Sequence, residues 1–483
     1  MRAIMGLPLL LAIGLLPGCS LAPAYHGVPL QAAPGTFKEA PGWSEAVPSD
    51  AVGKGQWWTL FNDPQLDALQ ARVVVDNQNV AQYRATYAAA RALVQQQRAA
   101  LWPQVTAQGT GTRSGGQGSD ASGNAAGGRR YSVQVGASWE PDLWGRVGNS
   151  VSQASAEAAA SAGDLANATL SAQGELAIDY LQLRGLDAQH QDLAQTVQGY
   201  QRSLDITGNK YAVGVAAAAD VEQARTTLAN AQAQLRTLDL QRAQLEHAIA
   251  VLIGENPSTF RLVPAQWNER VPAVPSSVPS QVLLRRADVA AAERRVAAAN
   301  ANIGIQRAGY FPQFTISGDR QSNATAWGQL FTASTSLWSL GISALQTVFD
   351  AGATRGRVAQ ARAEFDQAAA VYRQTVLGAF QQVEDNLVAM QVYADVSQSR
   401  VQAEAAANRA EVILRNQYRA GTVDYTAVVV AQGTASSARQ ARIQAVVDRQ
   451  TAMVALAQAI GGSWVEPAAV AVTAPAPSSS GAP

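Results

Sequence analysis

Residues 131–140 read Tyr-Ser-Val-Gln-Val-Gly-Ala-Ser-Trp-Glu. In an extended chain Tyr131, Val133, Val135, Ala137 and Trp139 fall on one side, and Ser132, Gln134, Gly136, Ser138 and Glu140 on the other. Strict alternation over about ten residues makes a strand with one apolar and one polar face, and about ten residues is also the length of a tilted strand that crosses a bilayer. A first run, from Leu101-Trp102-Pro103-Gln104, and a Gly-, Ser- and Asn-rich loop over residues 109–128 complete a long-looped hairpin with Trp102 and Trp139 near its base. Two folds accept such a hairpin. One is a soluble sandwich. The other is a transmembrane barrel, with its apolar face outward, its polar face inward and aromatic residues at the membrane interfaces.

The hairpin occurs twice. Phe311-Pro312-Gln313-Phe314-Thr315-Ile316-Ser317 answers Trp102-Pro103-Gln104-Val105-Thr106-Ala107-Gln108. A polar loop with Asn323 and Gly328 follows, and then Trp338, Leu340, Ile342 and Ala344 alternate with Ser339, Gly341, Ser343 and Leu345. Pro103 and Pro312 stand 209 residues apart, as do Val80 and Val289; Gly214 and Gly421 stand 207 apart, as do Gly254 and Gly461. A period near 200 is a duplication rather than a solenoid. The two-residue slip belongs in the hairpin or between it and the helix that follows.

Between the hairpins the pattern is helical. Asp63-Pro64 supplies an N-cap and a first helical residue for a helix expected to reach about Ala100, with Val80, Tyr83, Tyr87 and Val94 among its contacts. After Arg146 a seam of Val151, Ala154, Ala158, Leu165, Ala168, Ala172 and Leu176 runs on to about Thr207, a coiled-coil spacing filled mainly by small residues. Around 60 residues of helix measure roughly 90 Å. Gly208-Asn209 and Gly214 are expected to break it, and a return helix spans about Asp220 to Ile253. Hydrophobic residues make up 47% of the 483-residue chain but aromatics only 6%, a balance suited to long, closely approaching helices.

The charges exclude little and suggest less. With 36 basic and 36 acidic residues the chain offers no electrostatic case for nucleic acid. One cysteine allows no intrachain disulfide, and His26, His190 and His247 are scattered without metal-ligand spacing. No phosphate-binding Gly-x-x-x-x-Gly-Lys-Ser/Thr loop and no catalytic constellation occur, so neither cofactor, metal nor enzymatic activity is expected. Met1-Arg2 and the apolar run Leu9 to Leu16 form a secretory signal over residues 1–18, too short to span a membrane. It ends in Leu16-Pro17-Gly18-Cys19, which resembles a bacterial lipoprotein box with Pro17 as a departure, the alternative being an ordinary signal with an incidental cysteine. A covalent lipid at Cys19 is therefore expected, and Ser20 fits outer-membrane sorting.

These residues together resemble the outer-membrane efflux proteins of the TolC family, in the lipid-anchored OprM/NodT branch. The resemblance is carried by the Cys19 box, Trp57-Trp58 with Phe61-Asn62-Asp63-Pro64, Pro103 and Pro312, and Trp139-Glu140-Pro141-Asp142-Leu143-Trp144-Gly145-Arg146. It is carried also by Pro279-Ser280-Gln281-Val282-Leu283-Leu284-Arg285-Arg286-Ala287-Asp288-Val289, where Ala287 stands for the family's proline. The resemblance implies a mainly α fold with a β-barrel part: a long coiled-coil-like helical tunnel in the periplasm, and four transmembrane strands per chain that become twelve in a homotrimer. It also implies an outer-membrane location in a Gram-negative bacterium, outer-membrane lipids around the barrel, and a periplasmic adaptor and inner-membrane pump as partners. On this reading residues 19–55 are a lipid-anchored linker, 56–256 and 279–464 the two repeats, 257–278 the connection and 465–483 a disordered tail.

Membrane-interface aromatics are expected at Trp102, Trp139, Phe311 and Trp338. The periplasmic tip is expected at Tyr211 to Gly214 and Tyr418 to Gly421. By resemblance Asp220 and Tyr418 match tip residues of the family that close the tunnel; Ala427, Val430 and Val423 depart from its acidic and Arg positions. Asp424 and Asp220 remain as acids near the turns, and Val430 would add an apolar constriction. These positions could instead be plain hairpin scaffolding. For the whole chain the expected function is a passive exit duct for small toxic molecules; the competing reading is an anchored coiled-coil structural protein without a pore.

Overall fold

A computed structural model describes residues 20–29, 38, 56–115, 128–272 and 286–462. The signal segment, Cys19, residues 279–285 and the tail lie outside the described residues. Among the described residues, eleven α-helices and β-strands follow one another in two matching series. The first holds α1 (Pro64–Asp76), α2 (Gln78–Ala99), β1 (Gln104–Ser114), β2 (Gly128–Trp139), α3 (Arg146–Ala212) and α4 (Ala218–Leu252). The second holds α5 (Ala287–Ala308), β3 (Gln313–Ala324), β4 (Ser336–Leu345), α6 (Ala353–Arg419) and α7 (Tyr425–Ala459). Helices α2 and α5 both have 22 residues, α3 and α6 both 67, and α4 and α7 both 35. The first strands begin at Gln104 and Gln313, the long helices at Arg146 and Ala353, so the two-residue slip falls across the hairpin, as expected.

The chain forms two compact units. One comprises Met1–Pro29, Thr86–Ser161 and Ala291–Tyr372. It contains a single antiparallel sheet of order β1-β2-β3-β4, in which each hairpin pairs internally and β2 pairs with β3. β1 runs on to Ser114 and β3 to Ala324, so the strands take several residues assigned to loops, Asn323 among them. Cross-strand ladder bonds win over the local turn preference of Gly and Asn there. The extended segment 20–29 is fastened to α5: Asn300 donates to the Pro23 carbonyl (2.8 Å), Arg307 to that of Leu21 (3.2 Å), and Tyr25 to Glu293 (2.7 Å). Gly304 permits the approach, since a Cβ there would lie 2.8 Å from Ala22.

The other unit comprises Leu30–Ala85, Ala162–Ala290 and Arg373–Pro483. Trp57, Trp58 and Phe61 are buried in a short 3-10 helix, and Asp63 caps α1 by accepting from the amides of Gln65 and Leu66, with Pro64 first in the helix. The single helix expected from Pro64 to Ala100 is in fact two. Asn77 takes extended backbone, its amide donates to the Leu252 carbonyl (2.7 Å) and its carbonyl oxygen caps α2 at the Val80 amide (3.0 Å). Burial of Asn77 makes both bonds obligatory, which fixes the break. Gly208 and Asn209, expected breakers, stay inside α3. One glycine costs a helix only about 1 kcal/mol, and here Leu193 and Tyr200 of α3 pack with Leu228, Ala231 and Leu238 of α4.

Residues 257–272 are not a free connection. Phe260 and Leu262 are buried, and the carbonyls of Leu262 and Val263 accept from Arg242 and Arg184. Arg184, 2% exposed, also pairs with Asp187, which Arg242 holds from its other side. Removing one partner from so buried an ion cluster costs about 3–5 kcal/mol, because the remaining charge is stranded.

Candidate functional site

The unbroken register sorts every strand residue onto one of two faces. One face carries Val105, Ala107, Val133, Val135, Ala137, Ile316, Leu340 and Ile342; of these Val105, Val135, Leu340 and Ile342 are among the exposed hydrophobics of the chain. The opposite face carries Thr106, Gln108, Thr110, Ser132, Gln134, Ser138, Asp319, Gln321 and Ser339. Its side chains bond across strands, Thr110 with Ser132 and Ser339 with the Asp319 carboxylate. A sheet open to water on both sides has no reason to expose an apolar face; one whose faces meet lipid and water does. The apolar face holds Arg320, which bonds the Ser336 hydroxyl (3.1 Å), and, at the loop end, Arg113 opposite Arg129. Both outer strands, β1 and β4, keep one unpaired edge within the chain.

Aromatics mark both ends of this sheet. At the helix end Trp102 is 73% exposed, and the Trp139 indole donates to the Leu101 carbonyl (3.0 Å). Phe311 stacks on Trp144 at 4.7 Å, and Trp144 donates to the Pro312 carbonyl (2.7 Å). Trp338 lies instead toward the loop end, opposite Arg320, and Tyr131 meets Trp327 edge-on at 5.5 Å there. The sequence does not mark the Tyr131–Trp327 pair, because Trp327 opens a three-residue 3-10 turn too short to carry a period.

The segment Trp139 to Arg146 is the corner from strand to long helix. Glu140 and Arg146 form a two-point ion pair (3.1 and 2.6 Å), and Asp142 accepts from the amides of Val147 and Gly148. Gly145 has φ +69°, a value few residues with a Cβ accept. Asp350 does the same work in the second repeat through the Gly352 and Thr354 amides, and the Thr354 bonds hold its carboxyl below the usual carboxylate range.

The two expected tip turns have one backbone design. Gly214 and Gly421 have φ +74° and +76°. Val215 donates back to the Lys210 carbonyl (2.8 Å) and Thr422 to that of Gln417 (3.0 Å), which closes the helix end on a left-handed glycine. Their side chains differ. Lys210, missed in the sequence because a lone lysine carries no pattern, places its ammonium 3.9 Å from the centre of the Tyr418 ring. Tyr418 lies 5.5 Å from the Tyr425 ring, whereas Tyr211 is exposed. Asp220 accepts from its own helix's first amide, at Ala217 (3.3 Å), and is not bonded to Tyr418. Asp424 starts α7 without a side-chain capping bond. Val430, 63% exposed, lines an apolar groove of about 410 Å³ with Ala407, Ala410, Leu414, Thr426 and Ala431.

Among the described residues no cluster of His, Cys, Asp and Glu could hold a metal, and no helix is long and apolar enough to cross a membrane. The profile of the family described as outer membrane efflux protein matches residues 62–255 and 278–462. The chain belongs to this family. The two matched segments correspond to the two structural repeats. The toluene efflux pump outer membrane protein TtgC of Pseudomonas putida is 29% identical over 456 residues, covering 94% of each chain. The pyoverdine export outer membrane protein OpmQ of Pseudomonas aeruginosa is 29% identical over 465 residues, 95% of this chain and 97% of that one. Among solved structures the outer-membrane channel OprN superposes with a TM-score of 0.84 at 29% identity, over 93% of this chain and all of that one. The efflux channel thus has its relatives' architecture over nearly its full length, sheet and helices alike.

Proposed function

We propose that this efflux protein is the outer-membrane exit duct of a tripartite pump, passive in itself, for small toxic molecules. The observation that carries the reading is the four-stranded sheet with one apolar face, one polar face and two open edges. Four strands cannot enclose a lumen, since about eight is the smallest barrel with a filled interior. Open edges cannot stand in lipid. Three copies joined edge to edge make a closed twelve-stranded barrel whose polar residues line a wet lumen. The relatives are named for toluene, pyoverdine and antibiotic export, which supports a permissive duct whose cargo is chosen by an inner-membrane pump reached through a periplasmic adaptor.

A covalent lipid at Cys19 would fasten the same chain to the outer membrane, a second anchor beside the barrel. The turns at Gly214 and Gly421 form the periplasmic tip, where Tyr418, Tyr211, Asp220, Asp424 and Val430 shape the resting constriction and the adaptor meets the groove beside Val430. A pore-free spacer is disfavoured by the polar sheet face, which such a protein does not need. Purified protein in a planar bilayer should give discrete single-channel conductance; a bilayer that stays sealed while the protein is inserted and trimeric removes the duct.

A further inference from the structure

Within the sheet-bearing unit a cavity of about 630 Å³ opens beside the segment 20–29, lined by Leu21, Arg307, Tyr310, Phe311, Arg355 and Arg362. Three guanidinium groups share it. Arg307 spends one bond on the Leu21 carbonyl (3.2 Å), and the described residues give Arg307, Arg355 and Arg362 no carboxylate partner. Of the acids near in sequence, Asp350 caps α6 at the Thr354 amide and Glu364 accepts from Asn302 and Gln360, while Asp366, one turn beyond Arg362, forms no ion pair with it. Guanidinium groups left together without an anion repel one another, so the cavity is built for a negative ligand.

Three observations say which one. Tyr310 and Phe311 stand just before β3 begins at Gln313, where amphipathic rings mark the boundary of hydrocarbon and headgroup. Leu21 is two residues from Cys19, so the chain's own lipid would enter the membrane at this level. The first repeat has no such cluster, for the positions matching Arg355 and Arg362 are Gly148 and Ser155. Arg355 and Arg362, unlike Arg307, whose match is Arg98, are therefore not a demand of the shared fold. We infer that this cavity binds the phosphate headgroup of an anionic phospholipid from the inner leaflet of the outer membrane. Basic pockets at a membrane face bind phospholipid headgroups by the same charge logic. The inference rests on reading the sheet as an outer-membrane barrel.

The test uses the full mature protein, delipidated and titrated by native mass spectrometry with dioleoylphosphatidylglycerol, dioleoylphosphatidylethanolamine or inorganic phosphate. Wild type should retain phosphatidylglycerol in preference to phosphatidylethanolamine, and Arg355→Gln with Arg362→Gln should weaken that retention roughly thirtyfold, for two lost charge contacts. Unchanged retention in the double variant, equal retention of the zwitterionic lipid, displacement by phosphate alone, or a double variant that falls to monomers each overturns the lipid site; the last would make the arginines subunit contacts. Planar-bilayer conductance of both proteins separates the two readings. If both conduct and lipid retention is equal, only the lipid site falls; if neither conducts, it is the duct that falls.

Discussion

The turns at Gly214 and Gly421 are built on one backbone and finished with opposite halves of a cap. In the first, Ala217 starts the helix and the acid sits three residues on, at Asp220, where it accepts from the Ala217 amide. In the second the acid starts the helix, at Asp424, and the residue three on is Ala427. A full capping box uses both positions; each turn here keeps one. One acid is thus tied into its own helix end, and the other is left exposed without a capping bond. Two residues that look interchangeable as tip carboxylates differ in what they are free to do.

That comparison can be broken at the glycines, where the largest effect is expected. Gly214→Val and Gly421→Val should each destabilise the tip by about 1–2 kcal/mol, because both φ values are left-handed. A Cβ at either site would meet nothing within 4 Å, so the cost is backbone alone and should be equal in the two turns. Hydrogen exchange at the tip reads it; a cost confined to one turn ends their equivalence.

Next comes Lys210, whose counterpart 207 residues on is Gln417. Lys210→Ala should loosen the tip by about 0.5–1 kcal/mol and raise resting conductance, Tyr418→Phe should leave it unchanged because the ring remains, and Gln417→Ala should do nothing. A response to Tyr418→Phe as large as to Lys210→Ala would shift the latch to the hydroxyl. Smaller still, Asp220→Ala should cost about 0.5 kcal/mol of helix stability and leave ion selectivity alone. Asp424→Ala should lower the cation-to-anion permeability ratio at constant stability, since rings of carboxylates attract cations. Reversal potentials in a salt gradient decide between them.

A pH-dependent effect lies higher in the long helices. Burial, with Glu175 close by, pushes the Asp179 carboxyl up to about 6. The second repeat carries neutral Asn386 and Gln382 at the two matching positions. An acid whose folded pKa is raised opposes folding once ionised, so stability should fall as pH rises from about 4 to about 6 and stay low above it. Asp179→Asn, which installs the second repeat's residue, should flatten that slope and raise the thermal midpoint at pH 7; a slope that persists in the variant assigns it to other groups.

The strands were legible because their period and their faces are local properties: Val133, Val135 and Ala137 alternate with Ser132, Gln134 and Ser138 whatever the rest of the chain does. The duplication was legible because Gly214 and Gly421 need the same left-handed backbone. Asn77 was not, since what breaks the helix is a bond to Leu252, 175 residues away. Gly208 misled in the other direction, as a helix packed along its length tolerates a residue that an isolated one would not. Within the candidate site the sequence named Tyr418 and Asp220 but not the neighbours of either. The fold joins Tyr418 to Lys210 and returns Asp220 to its own helix. Arg355 and Arg362 carry no signal in the sequence because two arginines seven positions apart on one helix mean nothing until Arg307 and Leu21 arrive from elsewhere.

The unpaired margins of β1 and β4 also bear on biogenesis. A solitary chain entering lipid would carry two rows of amide and carbonyl groups with no water to solvate them, each such group costing several kcal/mol. On the trimeric-barrel reading, insertion ahead of subunit encounter is opposed by that energy. On that reading the encounter comes before insertion, and the yield of inserted channel should rise steeply with the supply of newly exported chains.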